Sequence, residues 1–203
     1  GIIAAMLGIG GGVFMVPILV LLPWYNLDPA TASGTSLAAI IFTSLSSTFR
    51  YKKQKRIDYL LGLALASTTI PGAFLGSYTK SIIETWILGL IFAIFLIFVS
   101  IRMFIGKRRE NKRKNSAGKT SGGRKRRIID SYGEIFTYSV NFWVTPFLGF
   151  VGGFCSGLLG IGGGAVLVPA MNMALGVPIH VAVATSMFIM IFTSISGTLT
   201  NIW

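Results

Sequence analysis

Apolar residues run along this chain in blocks too long for the core elements of a water-soluble domain. Ala30 to Phe49, Tyr59 to Thr79 and Ile82 to Ile105 each reach the roughly 20 residues that a helix needs to cross a bilayer. Gly1 to Leu22 and Pro146 to Leu175 are equally apolar but broken by glycines, and Val177 to Trp203 runs to the chain end. The pattern predicts an all-α polytopic membrane protein with about six crossings. Composition agrees: 53% of residues are hydrophobic and only 12% charged, where a soluble domain carries about 25% charged residues.

The net charge of +12 suggests nucleic acid until the positions are read. Arg50, Lys52, Lys53, Lys55 and Arg56 share one short loop, and every other Lys or Arg except Lys80 falls between Arg102 and Arg127. Two spans separate the clusters, so both face the same side. The positive-inside rule makes that side the cytoplasm. The basic loops lack aromatic interleaving and flank spans, which excludes a nucleic-acid partner. The partners expected instead are the bilayer, with anionic lipid headgroups at the basic loops, and a small anion.

The sequence repeats. Leu7 to Pro17, LGIGGGVFMVP, lies over Leu159 to Pro169, LGIGGGAVLVP, and Ala32 to Thr48 lies over Ala182 to Thr198 with Thr35-Ser36 on Thr185-Ser186 and Phe42-Thr43-Ser44 on Phe192-Thr193-Ser194. Two matches in the same order mark an internal duplication. The expected units are a first transmembrane repeat over 1–105, a basic cytoplasmic linker over 106–138 and an incomplete second repeat over 139–203. The second repeat stops where the first still has a basic loop and two spans to run, which suggests about eight crossings in the whole protein.

Each repeat therefore opens with a Gly-broken segment, which has two readings. If the segment crosses the membrane as a broken helix, the repeats run parallel and are related by an axis along the membrane normal. If it is a re-entrant hairpin, the parity changes and the repeats are inverted. The two halves together supply one span at 1.5 Å per residue, so a crossing is the expectation. It places the connections Pro23 to Pro29 and Met173 to Pro178 outside, with His180 at the outer start of the sixth span. Ile128 to Tyr138 is expected as a short interfacial helix. Gly118-Lys119-Thr120 is no phosphate loop, because Arg113 stands where the first glycine belongs. The lone Cys155 forms no internal disulfide and reads as a small buried hydrophobe.

The candidate chemistry sits at the glycines. A cluster such as Gly8-Ile9-Gly10-Gly11-Gly12 holds a helix poorly, each Gly costing about 1 kcal/mol relative to Ala. A broken backbone in lipid survives only where it is buried or lines a cavity. The half-helix that follows presents free N–H groups and a positive dipole end, which suit an anion. The structural alternative is close helix crossing through small residues. Substrate-binding candidates are Gly10, Gly11, Gly12, Gly162, Gly163 and Gly164, with hydroxyls from Thr35, Ser36, Thr185 and Ser186, neutral donors that bind an anion without a buried Lys or Arg. Ser36, Thr43 and Ser47 share one helical face.

All six acids, Asp28, Asp58, Glu84, Glu110, Asp130 and Glu134, fall in loops or at span ends. A metal-cation pump or carboxylate proton relay needs an acid within the membrane, so the cargo is expected to be an anion. No metal-ligand cluster and no Ser–His or Ser–Lys pair within the spans is evident, which argues against an intramembrane enzyme and a cofactor. A non-transporting scaffold is the remaining alternative.

A GIGGG-x3-VP turn, an A-x2-TS start, a Ser/Thr-rich FTS-x-S stretch and a basic loop, all occurring twice, resemble the sulfite exporter TauE/SafE family. The resemblance covers nearly all the chain outside the linker. It implies a permease for sulfite, sulfonates or related organic anions, in the inner membrane and without a cofactor.

Overall fold

The computed structural model describes residues 11–21, 29–80, 82–83, single positions from 86 to 101, 124–131, 133, 135–140 and 143–202. Its elements are α1 (Gly12–Leu21), α2 (Pro29–Lys53), α3 (Tyr59–Lys80), β1 (Arg124–Ile129), β2 (Ile135–Val140), α4 (Val144–Leu159), α5 (Gly164–Ala174) and α6 (Ile179–Ile202). The protein is mostly helical. Tyr59–Lys80 and Ile179–Thr200 are long and apolar enough to cross a membrane, while α1 and α5, at 10 and 11 residues, reach only about half of a 30 Å hydrocarbon core.

An apolar core is present, but large apolar groups also stand on the surface and hydroxyls are buried among the helices. Phe42 is 76% exposed and Phe147 69%. Trp86, Leu90, Ile94, Ile97 and Ile101 are likewise exposed, at the spacing of one helix face. The buried set, by contrast, includes Ser36, Ser44, Thr69, Thr145, Ser156, Thr185, Ser186, Thr193 and Ser194. Hydroxyls inside and large apolar groups outside are what a lipid solvent selects.

Helix directions follow from which residues meet. Gly149 lies against Leu65 and Thr68, Gly153 against Thr69, and Gly157 against Ala73, so α3 and α4 run parallel. Glycine at every fourth position lets the two backbones touch: a Cβ on Gly72 would stand 2.5 Å from the Phe150 carbonyl oxygen, the close approach of small-residue membrane packing. The Asp58 amide donates to Thr185 Oγ1 at 3.1 Å and Ser196 Oγ donates to the Ile70 carbonyl at 3.1 Å. Helix α6 therefore also runs parallel to α3. Helix α2 runs the other way, with Ser33 at Lys80, Leu37 at Gly197, and Tyr51 near the Met187–Met190 end of the shared cluster.

The Gly-broken segment of the second repeat is a hairpin and not a crossing. Leu167 in α5 packs on Gly152 in α4, where an added Cβ would stand 2.7 Å from Leu167 Cδ2. Had the helix continued straight, those positions would be about 22 Å apart. Leu167 and Met171 instead lie in one cluster with Leu61, Leu65, Tyr138, Val140 and Val181, against which Val144 and Leu148 pack. The repeat mates α2 and α6 are consequently antiparallel, and the repeats inverted. This corrects the expectation of parallel repeats about a membrane-normal axis. It also moves the Leu175–Pro178 connection and His180 to the end that carries Arg50–Arg56. The entering arm of the first repeat, with Gly10, lies outside the described residues.

Single-cysteine labelling in a Cys155→Ser background checks this arrangement. Lys53→Cys and Gly176→Cys are expected to react from the same side of the membrane, and Ile82→Cys from the opposite one. Reaction of Gly176→Cys together with Ile82→Cys would restore the crossing topology.

The expected interfacial helix over Ile128 to Tyr138 is absent. Strands β1 and β2 pair antiparallel there, with Arg126 opposite Tyr138 and Ile128 opposite Phe136. Alternation sends Ile128, Phe136, Tyr138 and Val140 against the helix cluster, a half-buried period-2 pattern rather than a helical one. The hairpin is pinned by charge. Arg56 Nη2 lies 2.5 Å from Asp130 Oδ2, and Arg126 Nη1 lies 3.2 Å from Asp58 Oδ1. Tyr138 OH donates to Asp58 Oδ2 at 2.5 Å. Burial, followed by this bond to a carboxylate, holds the Tyr138 phenol well above its usual pKa and keeps it a donor. Replacing Asp58 by Asn removes the charge that pairs Arg126 and leaves one acceptor oxygen where two had served Arg126, Leu61 and Tyr138. The expected loss is roughly 2–3 kcal/mol, below the figure for a fully buried pair because the Arg126 side chain stays 26% exposed. The check is the thermal midpoint in detergent, together with proteolysis of the hairpin.

Candidate functional site: the meeting of the glycine turns

At Gly160 helix α4 ends in a left-handed residue, φ +72°, whose amide donates back to the Ser156 carbonyl at 2.9 Å. Gly162 and Gly163 follow at φ +77° and +82°. Three left-handed residues in four positions turn the chain through the hairpin, and a side chain is strained at each. Helix α5 then starts at Gly164, with the Gly163 carbonyl accepting from the Val166 and Leu167 amides at 3.1 and 2.8 Å. In the first repeat Gly11, φ +93°, precedes α1 in the same way.

The two turns touch. A Cβ on Gly12 would stand 2.8 Å from the Gly160 carbonyl oxygen, 2.9 Å from Ile161 Cα and 2.7 Å from Ile40 Cδ1. Ile40 lies near the middle of α2, so the contact is about halfway along that helix. The start of α1 therefore lies against the turn that leads into α5, which brings two positive dipole ends near one another.

The freed carbonyls find hydroxyls. Ser36 Oγ, fully buried, donates to the Gly160 carbonyl in a short bond across the repeats. Thr193 Oγ1 donates to the Gly162 carbonyl at 3.3 Å. Among the described residues four buried hydroxyls have no hydrogen-bond partner, and two of them, Ser156 Oγ and Ser194 Oγ, lie at these turns. Ser194 Oγ is 3.4 Å from where a Cβ on Gly162 would stand, and Ser156 Cβ is 3.4 Å from the corresponding point on Gly163. An unpaired buried hydroxyl costs about 1–3 kcal/mol, so a ligand that accepts from both would recover that loss.

Of the residues singled out by sequence, Gly11, Gly12, Ser36, Gly162, Gly163 and Gly164 come together. Gly10 lies outside the described residues. Thr35 does not join them: it is exposed and donates to the Thr31 and Ala32 carbonyls, each at 3.0 Å. Thr185 is engaged at the basic-loop end by the Asp58 amide, and Ser186 donates to the Val183 carbonyl at 2.8 Å. Sequence reasoning passed over Ser156, Ser194 and Lys80. Ser194 carried a signal, since it repeats Ser44 in the duplicated Phe-Thr-Ser. Lys80 stood out in the sequence only as the basic residue outside the two clusters, yet it is buried and its Nζ donates to Ser33 Oγ at 2.6 Å. A cation therefore stands close to the donor set. Among the described residues no group of His, Cys, Asp or Glu could hold a metal ion.

The model of the family described as sulfite exporter TauE/SafE matches residues 1–203. The chain is 37% identical over 99% of its length to a probable membrane transporter protein, YunE, of Bacillus subtilis, covering 74% of that protein. It is 30% identical to a probable membrane transporter protein of Methanocaldococcus jannaschii, over 97% of the chain and 66% of the relative. A third, YdhB of Bacillus subtilis, is 29% identical over 97% of the chain and 72% of the relative. No solved structure matches the chain.

Proposed function

The chain belongs to the sulfite exporter TauE/SafE family, and on that premise we propose that this membrane transporter carries a small oxyanion, sulfite or a sulfonate, bound where the two glycine turns meet. The observation that carries the reading is the pair of buried, unpartnered hydroxyls, Ser156 and Ser194, beside two neighbouring helix N-termini. A sulfonate presents three acceptor oxygens at one end. The turn presents donors: the first amides of α5, the two hydroxyls and, at a short remove, the Lys80 ammonium. Neutral and dipolar donors hold an anion weakly, each helix terminus contributing up to about 2 kcal/mol in a partly buried setting. A carrier that must release its cargo needs such a site. The basic loops and the hairpin face the cytoplasm in this reading, against anionic lipid headgroups.

Flux in proteoliposomes across sulfite, thiosulfate, sulfonates, carboxylates and divalent cations tests the proposal. Saturable flux of sulfite or a sulfonate is the expected result. Transport of cations without anions would refute it.

A further inference from the structure

Helix α3 climbs α4 by one face, and that face ends in a cation. Thr69 meets Gly153, Ala73 meets Gly157, and Ser77 Oγ donates to the Gly157 carbonyl at 3.3 Å. Lys80 comes next on this face and is only 4% exposed. Its Nζ donates to Ser33 Oγ. Ser33 in turn is wedged on the second glycine turn, where a Cβ added to Gly160 would stand 2.6 Å from Ser33 Cα. Ser36, one turn further along α2, donates to the carbonyl of the same Gly160.

A buried Lys is rare because its charge is costly to remove from water. Here it is spent at the end of α3 remote from the basic loops, between that face and the glycine turn. An ammonium carries three donors and no acceptor. Lys80 therefore offers an anion both charge and hydrogen bonds as it reaches or leaves the turn.

We propose that Lys80, oriented by Ser33, is the cationic binding residue that selects anions at the mouth of the glycine-turn site. The inference rests on the anion-transport reading and adds to it the residue that sets charge selectivity. It predicts that a sulfonate or sulfite is favoured over a neutral compound of the same shape, which dipoles and hydroxyls alone discriminate less.

The test is substrate flux and anion-induced thermal stabilisation of the full-length protein, using sulfite and 2-hydroxyethanesulfonate as probes. Lys80→Gln is expected to raise the half-saturating anion concentration roughly 10–100-fold, the worth of one charge-assisted hydrogen bond. Maximal flux should change far less, and the rise in thermal midpoint on adding anion should vanish. Lys80→Arg should recover most of the affinity, and Ser33→Ala, which keeps the cation but removes its orienting oxygen, should weaken it several-fold. Wild-type half-saturation and wild-type anion stabilisation in Lys80→Gln would overturn the role of Lys80 alone. If Lys80→Gln fails to fold, unchanged half-saturation in Ser33→Ala overturns it instead. Absence of anion flux in the wild type would overturn the functional reading and this inference with it.

Discussion

Replacing Gly12 by Val should abolish transport, lowering flux by at least about 100-fold in protein that still reaches the membrane. The added Cβ meets the Gly160 carbonyl oxygen and Ile161 Cα, both backbone, inside 3 Å. Neither can swing aside as a side-chain tip would, so the two turns must separate. Overpacking of this kind costs about 1–3 kcal/mol and sometimes more, and it spoils the geometry of both helix N-termini at once. Gly176→Ala is the control: at its φ of +65° the substitution strains the backbone, which Gly12→Val does not, while nothing stands within 4 Å of the new Cβ. That variant should lose about 1 kcal/mol of stability and keep its flux. Equal losses in both would mean that strain in general, and not the meeting of the turns, limits transport.

Ser194→Ala and Ser156→Ala should separate stability from function. Each hydroxyl is buried without a partner, so its removal breaks no bond in the empty protein. Thermal midpoints should hold or rise, by up to about 1 kcal/mol in stability. Anion affinity should fall about 10-fold or more for each, since a hydrogen bond to a charged ligand contributes roughly 1.5–3 kcal/mol. Thr35→Ala, at an exposed hydroxyl bonded to its own helix, should change neither quantity measurably. A fall in stability with unchanged affinity would assign both serines to packing.

Much of this was legible in the residues. The duplicated LGIGGG gives two helix breaks, and the duplicated Thr-Ser and Phe-Thr-Ser stretches give hydroxyl-bearing partners for the freed carbonyls. Ser36, expected to donate to an anion, gives its hydrogen instead to the Gly160 carbonyl. What the sequence left undecided was the path after the break. Two half-length apolar segments add up to one span, which favoured a crossing over two arms. The choice is made by Gly152, which leaves room for Leu167 to fold back, and by three left-handed glycines within four positions. Inversion of the repeats follows from that turn.

Two residues misled for a related reason. Thr185 and Thr35 occupy matched positions, yet Thr185 caps the Asp58 amide while Thr35 faces outward. Sequence identity across a duplication does not carry identical surroundings. The hairpin was hidden because Arg126, Ile128, Phe136 and Tyr138 alternate across a turn inside a charged linker, where composition alone reads as solvated chain. The burial of Lys80 is a tertiary fact, set by how far α3 rises beside the Gly160 turn.

Where the anion sits can be measured directly. An anomalous map of the protein soaked with 2-bromoethanesulfonate should show bromine beside the glycine turns, between Gly12, Ser156 and Ser194, with the sulfonate toward the start of α5. A peak confined to the basic loops or to the lipid-facing surface, with none at the turns, would contradict the account.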